Sequence, residues 1–182
     1  MFQFAHALSI GGTGMLARAT ADLALRSRAL TVLARNPARL GLRAPSVHPV
    51  TCDYRDTAAL TNALDGACAR TGAVDIALTW IHGDPDAVFA SIGRHLDPKG
   101  ARVIRVVGSA FASPERDGRR QEFLAKTANL ARQPVILGFA MERGGSRWLT
   151  DDEISAAAID AIAGPDRAII IAGTVTPWAQ RP

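Results

Sequence analysis

The sequence has little of most things that would classify it at once. It holds 2 cysteines in 182 residues. Cys52 and Cys68 stand in no Cys-x-x-Cys or other metal-type spacing, which argues against a disulfide scaffold and a zinc module. They are expected to be two small buried apolar side chains in a reducing compartment, so the expected location is cytoplasmic. Tyrosine occurs once, as Tyr54, and lysine only at Lys99 and Lys126; the other basic residues are arginine. Long apolar runs are missing. The strongest, 168–172, is far short of the roughly 20 residues a membrane helix needs, so no membrane partner is expected. The opening MFQFAHALSI has no basic stretch ahead of its apolar residues and is not read as a signal peptide. The net charge is +4. Its densest basic cluster, Arg116, Arg119 and Arg120, is broken by Asp117 and reads as a solvated helix start, so nucleic acid is not an expected partner. His6, His48, His82 and His95 are scattered, and no metal site is expected. Gly-x-Ser-x-Gly and Gly-Lys-Ser/Thr motifs are absent.

What remains is an ordinary globular composition, 48% hydrophobic and 21% charged. At roughly 150 residues per domain, residues 1–182 are expected to form one domain with its own core. Short apolar runs alternate with helical patterns along the chain. Strands are predicted at 7–10, 30–33, 47–52, 74–80, 102–107, 135–139 and 168–172. Helices are predicted at 14–26, from the cap Asp56 to 69, from Asp84-Pro85 to before Pro98, from Ser113-Pro114 to about 132, and at 151–163 behind a Thr150/Glu153 capping box. Residues 140–149, with Gly144-Gly145-Ser146, read as a flexible loop carrying Glu142, Arg143 and Trp148. Repeated β-α alternation implies an α/β, doubly wound parallel sheet of about seven strands, in the Rossmann-like order 3-2-1-4-5-6-7.

The strongest chemical signal follows the first strand. Gly11-Gly12-Thr13-Gly14-Met15-Leu16-Ala17 matches Gly-x-Gly-x-x-Ala, with a strand before it and a helix after it. Glycine permits the tight turn and lets backbone N–H groups approach a pyrophosphate, and a small residue at 17 lets the helix pack closely. At the end of strand two, Ala34-Arg35-Asn36 carries no acid for a ribose 2′-OH. Arg35 suits a 2′-phosphate instead, with Arg39 one turn on, which favours NADP over NAD. Asp53, after strand three, is a candidate to take the adenine amino group, and Tyr54 beside it and Trp80, ending strand four, are further cofactor-binding candidates.

These features resemble the short-chain dehydrogenase/reductase superfamily, in a shortened and atypical form. Val107-Gly108-Ser109 is similar to the strand end that presents the family's Ser. Leu137-Gly138-Phe139 resembles its Pro-Gly-Phe, and the segment from Arg147 to Ile154 resembles its late helix start. The resemblance spans nearly the whole chain. It implies catalysis by Ser, Tyr and Lys, but the family's register from Ser109 lands on Glu122 and Lys126, and the Tyr is missing. Ser109, Lys126 and His82 are therefore the catalytic candidates, with His82 or Glu122 as a substitute proton donor. The implied function is an NADP(H)-dependent oxidoreductase acting on a small-molecule carbonyl or enone, self-associating as a homo-oligomer. The alternatives are a noncatalytic NADP(H)-binding sensor or partner-binding protein, and a domain for another nucleotide-containing ligand.

Overall fold

The computed structural model describes residues 2–82, 85–113, 132–164 and 169–182. Among these, seven parallel strands form one sheet: β1 (Phe4–Ile10), β2 (Ser27–Ala34), β3 (Val47–Thr51), β4 (Ile76–Trp80), β5 (Arg102–Val107), β6 (Arg132–Leu137) and β9 (Ile170–Ala172). Their order is β3-β2-β1-β4-β5-β6-β9. A separate antiparallel hairpin joins β7 (Phe139–Glu142) to β8 (Gly145–Trp148). The helices are α1 (Ala17–Arg26), α2 (Thr57–Thr71), α3 (Pro85–Gly93) and α4 (Asp151–Ala163). The sheet is thus the predicted one, with the hairpin inserted before its last strand.

Both faces of the sheet are covered, so its strands are apolar in both directions of their alternation. Leu30, Val32, Ile76, Leu78, Ile104 and Val106 pack with Leu16, Leu23, Ile154 and Ile162 on the α1 and α4 side. Leu8, Ile10, Leu33, Ala77 and Val103 pack with Leu60, Leu64, Phe89 and Ile92 on the α2 and α3 side. Full burial of each such Leu, Ile or Phe contributes about 1.5–3 kcal/mol. The predicted caps are present. The Asp56 carboxylate accepts the Ala59 N–H at 3.0 Å, and Thr150 and Glu153 close a reciprocal capping box. At the other end of α4, the Arg102 guanidinium donates to the carbonyls of Ala161 at 2.8 Å and Gly164 at 3.1 Å, where the helix dipole is negative.

Several boundaries differ from expectation. Helix α1 begins at Ala17, because residues 11–16 are spent on turns. Strand β4 begins at Ile76; Val74 makes only an isolated bridge to Leu96. Strand β6 spans Arg132–Leu137, so residue 132 is strand where the end of a helix was expected; the rest of that expected helix, 114–131, lies outside the described residues. The largest correction concerns 140–149, which is β-hairpin and not a flexible loop. Its Arg143-Gly144 turn places Gly144 at φ 102°, a conformation that glycine adopts without steric cost. Cys52 is buried and Cys68 partly buried; both are free thiols, and burial pushes both up from the usual thiol range.

Candidate functional site

Open parallel sheets leave a crevice at the carboxyl ends of their strands, beside the point where strand order reverses. Here that point lies between β1 and β4. A groove of about 450 Å³ occupies it, lined by Gly11, Thr13, Gly14, Ala34, Arg35, Asn36, Arg39, Tyr54, Trp80 and His82.

The glycine loop builds the groove's floor. Gly11 sits at φ 74°, and a Cβ there would overlap the Trp80 carbonyl oxygen. The sharp turn out of β1 and the close approach to β4 both require glycine. Gly12 is buried, and a Cβ would overlap the hydroxyls of Ser9 and Thr20. Its carbonyl accepts the Thr20 hydroxyl at 3.0 Å, so Gly12 serves packing. Gly14 is exposed, and nothing lies within 4 Å of where its Cβ would stand. That is the open side from which a phosphate would approach. Met15 and Leu16 do not line the groove. Leu16 is fully buried in the core, and the Met15 carbonyl accepts the Ser155 hydroxyl at 2.8 Å, tying the loop to α4. The sequence pattern placed them at the ligand; the structure gives their side chains to packing, because α1 must lay an apolar stripe on the sheet.

The β2 end supplies cations. Arg35 and Arg39 are exposed and face the groove, and no carboxylate is among the described residues lining it. Asp53, just beyond β3, is not a lining residue. Arg55 grips it, with Nη2 to Oδ2 at 2.6 Å and Nε to Oδ1 at 3.0 Å. This pairing lowers the Asp53 pKa to about 2. Tyr54 does line the groove, and its hydroxyl accepts the backbone N–H of His82 at 3.1 Å. The His82 ring is exposed and meets the Trp80 indole edge-on, 4.8 Å between centroids.

The other half of the candidate set lies across β4. Trp80 and His82 also line a second cavity of about 330 Å³ with Gly108 and Phe111. Gly108 opens in turn onto a third cavity of about 180 Å³, where Ser109 faces Gly138, Trp148 and Leu149. Shared walls therefore connect the groove to Ser109 through His82, Trp80 and Gly108. Lys126 and Glu122 lie outside the described residues. Glu142 is paired with Arg147 at 2.6 Å on the exposed face of the hairpin. Sequence reasoning missed the Tyr54–His82 bond and the cavity around Gly138, since neither leaves a local spacing signal. Among the described residues no group of three or more His, Cys, Asp or Glu could hold a metal, and no helix is long and apolar enough to cross a membrane.

No protein-family model matches the chain, and no curated protein matches it. Solved structures do. A Rossmann-fold NAD(P)-binding family protein from Shigella flexneri is similar at TM-score 0.62 and 19% identity, over 90% of this chain and 89% of that one. A short-chain dehydrogenase from Burkholderia cenocepacia, in complex with NADP, is similar at TM-score 0.69 and 15% identity, over 96% and 91%. An NADH-dependent reductase, A1-R′, complexed with NAD, is similar at TM-score 0.66 and 14% identity, over 91% and 93%. With its strand order and glycine turn, the chain has the Rossmann-like α/β fold that these structures share.

Proposed function

We propose that residues 1–182 form one NAD(P)-binding domain and that the protein is an NADP(H)-dependent oxidoreductase of an atypical short-chain type, acting on a small carbonyl or enone. The observation that carries this reading is the groove, with its glycine-only crossing at Gly11, its open approach over Gly14 and its two lining arginines, Arg35 and Arg39. These residues fit a phosphorylated dinucleotide. A nicotinamide cofactor held there supplies the hydride.

In this reading Arg35 and Arg39 take the charge of the 2′-phosphate, with Ala34 and Asn36 beside them. The backbone of Gly11, Gly12, Thr13, Gly14, Met15 and Leu16 meets the pyrophosphate at the N-terminus of α1. Asp53 and Tyr54 flank the adenine, and Trp80 walls the passage toward Ser109. The Ser109 hydroxyl donates a hydrogen bond to the substrate's carbonyl oxygen, and the His82 imidazole delivers the proton. Lys126 completes the catalytic set. The protein works in the cytoplasm as a homo-oligomer, a state that sedimentation reads directly.

The test follows NADPH consumption by purified protein over a panel of small aldehydes, ketones and enones. Turnover of at least one compound is expected. His82→Ala lowers it by about 10²-fold or more while NADPH binding is kept. An equal rate in His82→Ala removes that residue from the chemistry. A second reading, a noncatalytic NADP(H) sensor, is favoured by one observation: the chain's single tyrosine sits in the groove with its hydroxyl engaged by His82. NADPH binding without turnover of any compound selects it.

A further inference from the structure

The segment after β9 is fastened to the β7–β8 hairpin at three levels. The first is backbone. Phe139 and Thr174 exchange both N–H···O bonds at 2.9 Å. The approach is close enough that a Cβ on Gly138 would overlap the Thr174 carbonyl, and one on Gly173 would come within 2.6 Å of the Phe139 carbonyl. The second is a hydroxyl: Ser146 donates to the Gln180 carbonyl. The third is a cation. The Arg181 guanidinium lies 4.7 Å from the Trp178 ring centroid and 5.6 Å from that of Trp148.

The hairpin itself is pinned from its other side. Arg147 reaches Glu142 at 2.6 Å and, with two nitrogens, both oxygens of Glu153 at 2.8 and 2.9 Å. The backbone of β8 is therefore fixed to the start of α4. The Trp148 indole is not fixed by those contacts. The residue remains 48% exposed, and Trp148 lines the cavity that holds Ser109.

We propose that Arg181 is a positioning residue: it holds the Trp148 indole as the wall of the Ser109 cavity, and so sets the protein's grip on the nicotinamide half of the dinucleotide while leaving the adenosine half untouched. This rests on the NADP(H) reading above. The physical reason is preorganisation. A guanidinium keeps its charge at every relevant pH and stacks on aromatic faces, so an indole held by one loses less rotamer freedom when a ring docks against it. The selectivity between halves follows from the sheet. Arg35 follows β2, whereas Gly138 and the hairpin follow β6, four strand positions away in the order β2-β1-β4-β5-β6. At about 4.8 Å per strand the two ends stand roughly 19 Å apart, beyond the direct reach of Arg181.

The experiment compares wild type, Arg181→Ala and Arg181→Lys for binding of NADPH and of 2′,5′-ADP, which carries only the phosphorylated adenosine half. Energy transfer from tryptophan to bound dihydronicotinamide is read alongside. Arg181→Ala is expected to weaken NADPH about fivefold and to lower the energy transfer. Its affinity for 2′,5′-ADP stays that of wild type, and Arg181→Lys recovers part of the loss. Unchanged NADPH affinity overturns the proposal, as does equal weakening of NADPH and 2′,5′-ADP. Wild-type protein that binds neither probe overturns the NADP(H) reading and this proposal together, a failure visible before any substitution is made.

Discussion

The Tyr54 hydroxyl accepts the backbone N–H of His82 at 3.1 Å, joining the turn after β3 to the turn after β4 across the mouth of the groove. A phenol oxygen that accepts one bond still has a proton to donate, and Tyr54 lines the same groove as Arg35 and Gly14. The bond therefore does two things at once. It ties His82 to the turn after β3 and keeps the chain's single phenol at the groove wall.

Tyr54→Phe keeps the ring's packing on the α2 and α3 side of the core and removes only the hydroxyl. One neutral hydrogen bond is worth about 1 kcal/mol, or about fivefold in affinity. Calorimetry should show NADPH bound about fivefold more weakly, with a melting temperature lowered by only a few degrees. Unchanged affinity would leave the hydroxyl with a purely structural part.

Two glycines of one loop should respond oppositely to the same change. Gly11→Ala forces a Cβ into a left-handed conformation and against the Trp80 carbonyl, and should cost at least about 2 kcal/mol in urea unfolding. Gly14→Ala meets nothing, so stability should stay within about 0.5 kcal/mol. Its new methyl projects into the approach to the groove, and NADPH affinity should fall by about tenfold or more. Equal effects on stability in both variants would contradict the assigned roles.

The Arg147 pin predicts an acid response. Its guanidinium lowers the Glu153 carboxyl from the ordinary 4.5 to about 2. A carboxylate with a depressed folded pKa gives its stabilisation in full above its unfolded value and loses it as pH falls through the folded one. The stability difference between wild type and Glu153→Gln should be constant from neutral pH down to 4.5 and shrink between there and about 2. Asp53, held by Arg55, titrates over a similar range in both proteins and cancels in the difference. Urea unfolding at stepped pH reads this; a difference that does not change with pH would remove the pin.

The sheet was legible because each strand–helix repeat carries its own local signals: apolar runs of strand length, Asp56 and Thr150 as caps, glycines directly after β1. The arginines of the groove were legible because the residue ending the second strand has a fixed place relative to the glycine loop. The hairpin was not legible. Gly144-Gly145-Ser146 reads as slack chain, and what orders it is tertiary: Arg147 on Glu153, and the fit of Gly138 against Thr174. The side-chain directions of Met15 and Leu16 were not legible for a related reason. A motif fixes where the backbone turns, whereas the apolar stripe of α1 decides where those side chains go.

Under the proposed function the groove selects a dinucleotide carrying a 2′-phosphate, a selectivity read by calorimetric titration of the protein with NADPH and with NADH, repeated on Arg35→Ala. A charge-assisted contact to the phosphate is worth about 1.5–3 kcal/mol. NADPH should therefore bind about 10- to 100-fold more tightly than NADH, and Arg35→Ala should remove most of that preference while leaving NADH binding unchanged. Equal affinity for the two cofactors, or a preference that survives in Arg35→Ala, would contradict the account.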